Sequence, residues 1–136
     1  MATILDHIRS LESYVERSGA RLVRSPLPEW VHGRVFSDRI MLRADLDPEQ
    51  ELLTLVHELT HWLTHRDACL QHLCHPGTVF EYEAEAVEAL VMVRLGLQPP
   101  SDGIDAESDD PTDDLLSASV KRVVWASGRI CHALGV

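Results

Sequence analysis

The stretch Leu52-Leu53-Thr54-Leu55-Val56-His57-Glu58-Leu59-Thr60-His61-Trp62-Leu63 constrains this chain more than any other. Its apolar residues recur at helical spacing, so most of the helix surface must be buried, yet two histidines and a glutamate interrupt the run. The histidines and the glutamate thus sit on a helix whose other face is buried. The segment opens on Asp47-Pro48-Glu49-Gln50, an Asp cap with Pro at the first helical position and an acid in the first turn. It is therefore expected to be the central helix.

Two histidines four residues apart share one helix face, so the imidazoles of His57 and His61 can converge on one ion, with Glu58 beside them. H-E-x-x-H on a helix is the pattern of a zinc site with a general base. Neutral imidazoles hold zinc without cancelling its charge, and a carboxylate can take a proton from water attacking a peptide carbonyl. A catalytic site needs a third protein ligand. Asp67 lies ten residues after His57, where a metzincin-like pattern would place it, but Thr64 stands where that pattern needs Gly. Glu81-Tyr82-Glu83-Ala84-Glu85 is the better source: Glu81 and Glu85 share a helix face, so one can bind metal while the other braces a ligand histidine. Glu83 is expected to point elsewhere. His65 continues the series one turn beyond His61, about 5.4 Å along the axis, too far for an ordinary third ligand. Cys69, His72, Cys74 and His75 could form a second zinc site in the loop between the two helices, although their spacing fits no common pattern. His72, His75 or Tyr82 could stabilise a developing oxyanion.

The 136-residue chain reads as one domain. Ile4, Leu5, Ile8, Leu11 and Val15 mark a first amphipathic helix that Gly19 ends. From Arg21 to Leu42, short β-branched and aromatic runs broken by Pro26, Pro28 and Gly33 predict two or three strands, with a turn near Ser37-Asp38-Arg39. A loop over about 67–78 precedes a helix over Glu81–Leu95, with Val87, Leu90, Val91 and Leu95 on its apolar side and Gly96 closing it. A last helix from about Asp113 to Leu134 would turn Leu116, Val120, Val123, Val124, Ile130 and Leu134 inward. Trp62 and Trp125 are expected in the core.

The formal net charge is −10, and seven acids fall between Asp102 and Asp114 with no Lys or Arg among them. Such a chain has no electrostatic footprint for a phosphate backbone, so no direct nucleic-acid partner is expected. No apolar run suits a membrane span, and the first residues do not read as a signal peptide. Three cysteines without a C-x-x-C pair fit reduced thiols. A cytoplasmic protein is expected.

His57-Glu58-Leu59-Thr60-His61-Trp62-Leu63-Thr64-His65, followed by Glu81-Tyr82-Glu83-Ala84-Glu85-Ala86-Val87 and running to Leu95-Gly96-Leu97, resembles the ImmA/IrrE family of metallopeptidases and the related ArdC-type peptidase domains. The likeness covers roughly residues 30–97. It implies His57, His61 and Glu81 as zinc ligands and Glu58 as general base, with Glu85 where the family often has Asn, so that Glu85 stands as a brace or a competing ligand. It also implies a narrow protein or peptide substrate, such as a repressor or other regulatory protein. The expected fold is α+β, a small zincin-like domain with a short sheet whose edge can hold an extended peptide. Its expected layout over 1–136 is an N-terminal helix (1–20), a zincin core (21–97), an acidic loop (98–114) and a C-terminal helix (115–136). The expected function is a zinc-dependent metalloendopeptidase. The alternative from another class is a zinc-holding interaction module without proteolytic turnover.

Overall fold

The computed structural model describes residues 2–98 and 113–136, with side chains in the last helix from Ser119 onward. Most of the expected acidic loop, 99–112, and the side chain of Leu116 lie outside the described residues.

Helix α1 (Ile4–Arg17) begins in a reciprocal cap: Thr3 Oγ1 accepts from the Asp6 amide at 3.1 Å, and the Asp6 carboxylate accepts from the Thr3 amide at 2.8 Å. It buries Ile8, Leu11 and Val15, the 3.6-residue stripe of the sequence, while Leu5 at its start stays exposed. Gly19, at φ +95°, ends the helix in a conformation that a side chain would strain. Strands β1 (Arg21–Ser25), β2 (Gly33–Val35) and β3 (Arg39–Arg43) then form a sheet ordered β1-β3-β2. β2 and β3 make an antiparallel hairpin, whereas β1 runs parallel to β3. β3 alternates, burying Ile40 and Leu42 completely.

Helix α2 (Pro48–Thr64) starts as its cap requires, the Asp47 carboxylate accepting from the Gln50 amide at 2.9 Å. It packs against α1, the hairpin and the two later long helices. Leu52, Leu55, Val56 and Leu59 have no solvent exposure, and Trp62 is buried with them. A short α3 (Arg66–Leu70) follows inside the stretch expected to be a loop. Next come α4 (Val79–Arg94), capped by Thr78, and α5 (Asp113–Leu134).

The architecture is α+β, that of a small zincin-like domain. Several expected inward positions are corrected. Val120, Val124 and Trp125 on α5 and Leu90 on α4 are exposed; α5 instead turns Ala126, Ile130 and Leu134 to the core. Those three positions at four-residue steps give a stripe about one helix face wide, and the valines lie on the neighbouring face.

Candidate metal centre

The apolar face of α2 anchors it against α1 and the sheet, which leaves His57, Glu58 and His61 on the side facing α4 and an open cavity of about 770 Å³. The Nε2 atoms of His57 and His61 lie 3.1 Å apart. Glu81, in the first turn of α4, places one carboxylate oxygen 2.6 Å from His57 Nε2 and the other 3.2 Å from His61 Nε2. Three sequence-derived ligand candidates from two helices thus meet at one point. Asp67 is exposed on α3, and Glu85 is half-buried on α4; neither belongs to the groups of three donor atoms found among the described residues.

Each histidine has its outer nitrogen engaged. Glu88 holds His57 Nδ1 by a short contact, so that nitrogen donates and Nε2 presents its lone pair. On the other ligand the arrangement is one step longer. His65, buried at the C-terminal cap of α2, donates from Nε2 to Glu83 at 2.7 Å. Its Nδ1 is then the acceptor 3.0 Å from His61 Nδ1, which leaves His61 Nε2 as a lone pair as well. Glu83 is held in turn by both arms of Arg122, at 2.7 Å each, and by Ser119 Oγ at 2.6 Å. Glu83 does point away from the three donors, as its position in the helix requires, but it is not a solvated surface acid. It is buried and ties α5 to the far side of the site.

The donor set fits a metal cation. Two lone pairs and a carboxylate converging within 3.2 Å repel one another unless a positive charge sits among them. In a tetrahedral zinc site with bonds near 2.0–2.1 Å, ligand atoms stand about 3.3 Å apart, close to this spacing. Protonation of the side chains follows the same preference for a cation. Burial works against a charged His57, yet hydrogen bonds and charge from Glu81 and Glu88 raise its pKa well above the ordinary value. Burial likewise opposes the Glu81 carboxylate, but with no ion between them the facing imidazoles donate to it when their Nε2 atoms carry a proton instead, which holds it down to about 2. His61 shifts downward, chiefly through burial.

Glu58 is different in kind. Its side chain makes no ion pair within the donor group, and burial pushes its pKa up to about 7, with His57 pulling the other way. The strand that covers it can lie so close because residue 33 is glycine: a Cβ there would meet Glu58 Cγ at 2.9 Å and Thr54 Cγ2 at 3.0 Å. β2 is an edge strand of the sheet, and the run from Trp30 to Phe36 lines the cavity. His72 and His75 line it too; Tyr82 does not.

Glu88, the His65–Glu83–Arg122 chain and Gly33 escape the sequence reading. Glu88 had a signal, since it lies seven residues after Glu81 and so on the same face as Glu81 and Glu85. Nothing local marks Arg122 as a partner of Glu83.

Residues 15–94, more than half of the chain, match the model of the M78 peptidase family, described as the IrrE N-terminal-like domain. No curated protein matches the chain, and no solved structure does. The matched family is of metallopeptidase type, so a metal ion is implied by the same match that covers all three donors and Glu58. By the helix motif, the donor geometry and this match together, the chain belongs to the IrrE N-terminal-like domain family of M78 peptidases.

Proposed function

We propose that the chain is a zinc-dependent endopeptidase that cleaves a specific, regulatory protein substrate in the cytoplasm. The observation that carries this reading is Glu58, buried with a pKa near 7 beside three convergent donors and open to the cavity. A binding module has no use for a carboxylate buried beside convergent metal donors and facing the cavity.

His57, His61 and Glu81 would hold the zinc ion, and Glu88 and His65 would keep the two imidazoles turned toward it. When bound, zinc supplies a Lewis acid that polarises a carbonyl and acidifies water. Glu58 accepts a proton from the attacking water as the new C–O bond forms. It then delivers that proton to the amide nitrogen as the C–N bond breaks, so each product receives one fragment of water. The substrate lies extended along β2, pairing its backbone with the strand edge, with Trp30 offering an apolar contact at the mouth. Family resemblance supports the narrow, regulatory substrate, and three free thiols fit a reducing compartment such as the cytoplasm.

The test incubates zinc-loaded protein with a proteome-derived polypeptide mixture and maps new N-termini by mass spectrometry. Wild type should generate a defined set of cuts, and Glu58→Gln should bind zinc equally while cleaving about 10²–10⁴-fold more slowly. Zinc-loaded wild type that cuts nothing, or Glu58→Gln that cuts as well, overturns the reading. A partner captured uncut by both proteins would instead mark a zinc-holding interaction module.

A further inference from the structure

Helix α3 ends in a turn that folds the chain back on itself. The Leu73 amide donates to the Ala68 carbonyl at 2.9 Å and the His72 amide to the Cys69 carbonyl at 3.0 Å. His72 makes this possible at φ 60°, the left-handed conformation that no other non-glycine adopts among the described residues. The returning segment brings Cys74 beside Cys69, with its sulfur 4.0 Å from the His65 carbonyl. Both cysteines are free thiols, and both line the cavity that holds Glu58 and Glu81. The two sulfurs and a ring nitrogen of His61 all lie within 4.8 Å of one another.

We propose that Cys69 and Cys74, together with His61, form a second metal-holding set on the cavity wall, taking a borderline or soft transition-metal ion through two thiolates and one imidazole. The inference rests on the metal centre of the proposed function, because His61 belongs to both sets. Two cysteines and one histidine with a fourth position open are a known zinc donor set. With bonds of about 2.3 Å to sulfur and 2.0–2.1 Å to nitrogen, donors stand roughly 3.5–3.8 Å apart, so the group need close by no more than about 1.3 Å, within reach of rotation of the cysteine side chains. Thiolates select zinc, cobalt and cadmium over magnesium or calcium. On binding, each thiol gives its proton to solvent as the metal–sulfur bond forms, and no electrons change hands. Because His61 is common to both sets, the sulfur set competes with the hydrolytic one for the metal.

The test uses the reduced 136-residue chain and Co2+ alone. Thiolate-bound cobalt absorbs strongly in the near ultraviolet by sulfur-to-metal charge transfer, which nitrogen and oxygen donors do not produce. Wild type should show this band, Cys131→Ser should retain it, and the double variant Cys69→Ser, Cys74→Ser should lose it. Because the double variant could fail to fold, wild type is also alkylated with iodoacetamide and mapped by mass spectrometry. Co2+ should slow modification of Cys69 and Cys74 by about tenfold or more and leave Cys131 unaffected. Cobalt bound without the sulfur band and without protection overturns this inference and leaves the peptidase reading standing. A band that survives in the folded double variant also overturns it. No cobalt binding at all overturns both.

Discussion

Gly33 and Glu88 are small and large versions of one requirement, that the face of α2 carrying His57 and Glu58 be approached closely and held still. At Gly33, a methyl group would press on the Glu58 side chain, the Met41 carbonyl and Thr54 at 2.9–3.0 Å. Gly33→Ala should therefore lower stability by about 1–3 kcal/mol in denaturant unfolding. It should also depress cleavage more than zinc affinity, since the clash falls on Glu58 and on no metal donor. Glu88→Ala removes the group that sets the His57 tautomer. Its zinc affinity, measured by competition with a chromogenic chelator, should fall about 10–100-fold with the fold retained. The two residues differ in legibility. The face of α4 that carries Glu81 could have been followed one more step to Glu88, whereas the demand for glycine at position 33 comes from another element pressing on it and leaves no local trace in the chain.

Among the elements, α2 was written most clearly: cap, proline, apolar stripe and H-E-x-x-H all agree, and the observed helix starts at the residue expected. Short or long-range features were harder to read. The five residues of α3 cannot display a helical period, and the parallel pairing of β1 with β3 depends on a return path through β2 rather than on any strand's own pattern. The α5 helix carries two apolar stripes, and only packing decides that Ala126, Ile130 and Leu134 face inward while Val120 and Val124 do not. Besides this apolar packing, a buried polar tie joins α5 to α4. Burial alone would raise the Glu83 carboxyl, but hydrogen bonds from His65, Arg122 and Ser119 outweigh it and hold it at about 2, below its ordinary 4.5. A carboxyl depressed in the folded state stabilises fully above its unfolded pKa and loses that contribution as pH falls through the folded one. Wild-type unfolding free energy should thus decline between about pH 4.5 and pH 2 more steeply than that of Glu83→Gln, which has no proton to take up there. Parallel slopes for the two proteins in urea titrations would remove Glu83 from the acid response.

For the whole molecule, the net charge of −10 coexists with a centre whose converging donors favour a cation. A ligand that binds only the folded chain adds RT ln(1 + [L]/Kd) to stability, about 2.7 kcal/mol at a hundredfold excess over Kd. Zinc at that excess should raise the thermal midpoint by roughly 10 °C, chelator should reverse it, and His61→Ala should show neither response. A midpoint indifferent to zinc in wild type would contradict the donor assignment.

The chain Arg122–Glu83–His65–His61 begins on α5, beyond residue 94 where the family match ends. Free-energy coupling between two sites acts equally in both directions. Coupling carried by this chain of contacts would mean that loosening α5 weakens the grip on a bound ion, and that the ion favours the docked helix by the same amount. On the proposed function, metal affinity becomes a gauge of whether the last helix is docked, and a factor that peels that helix away would weaken the site without ever entering the cleft.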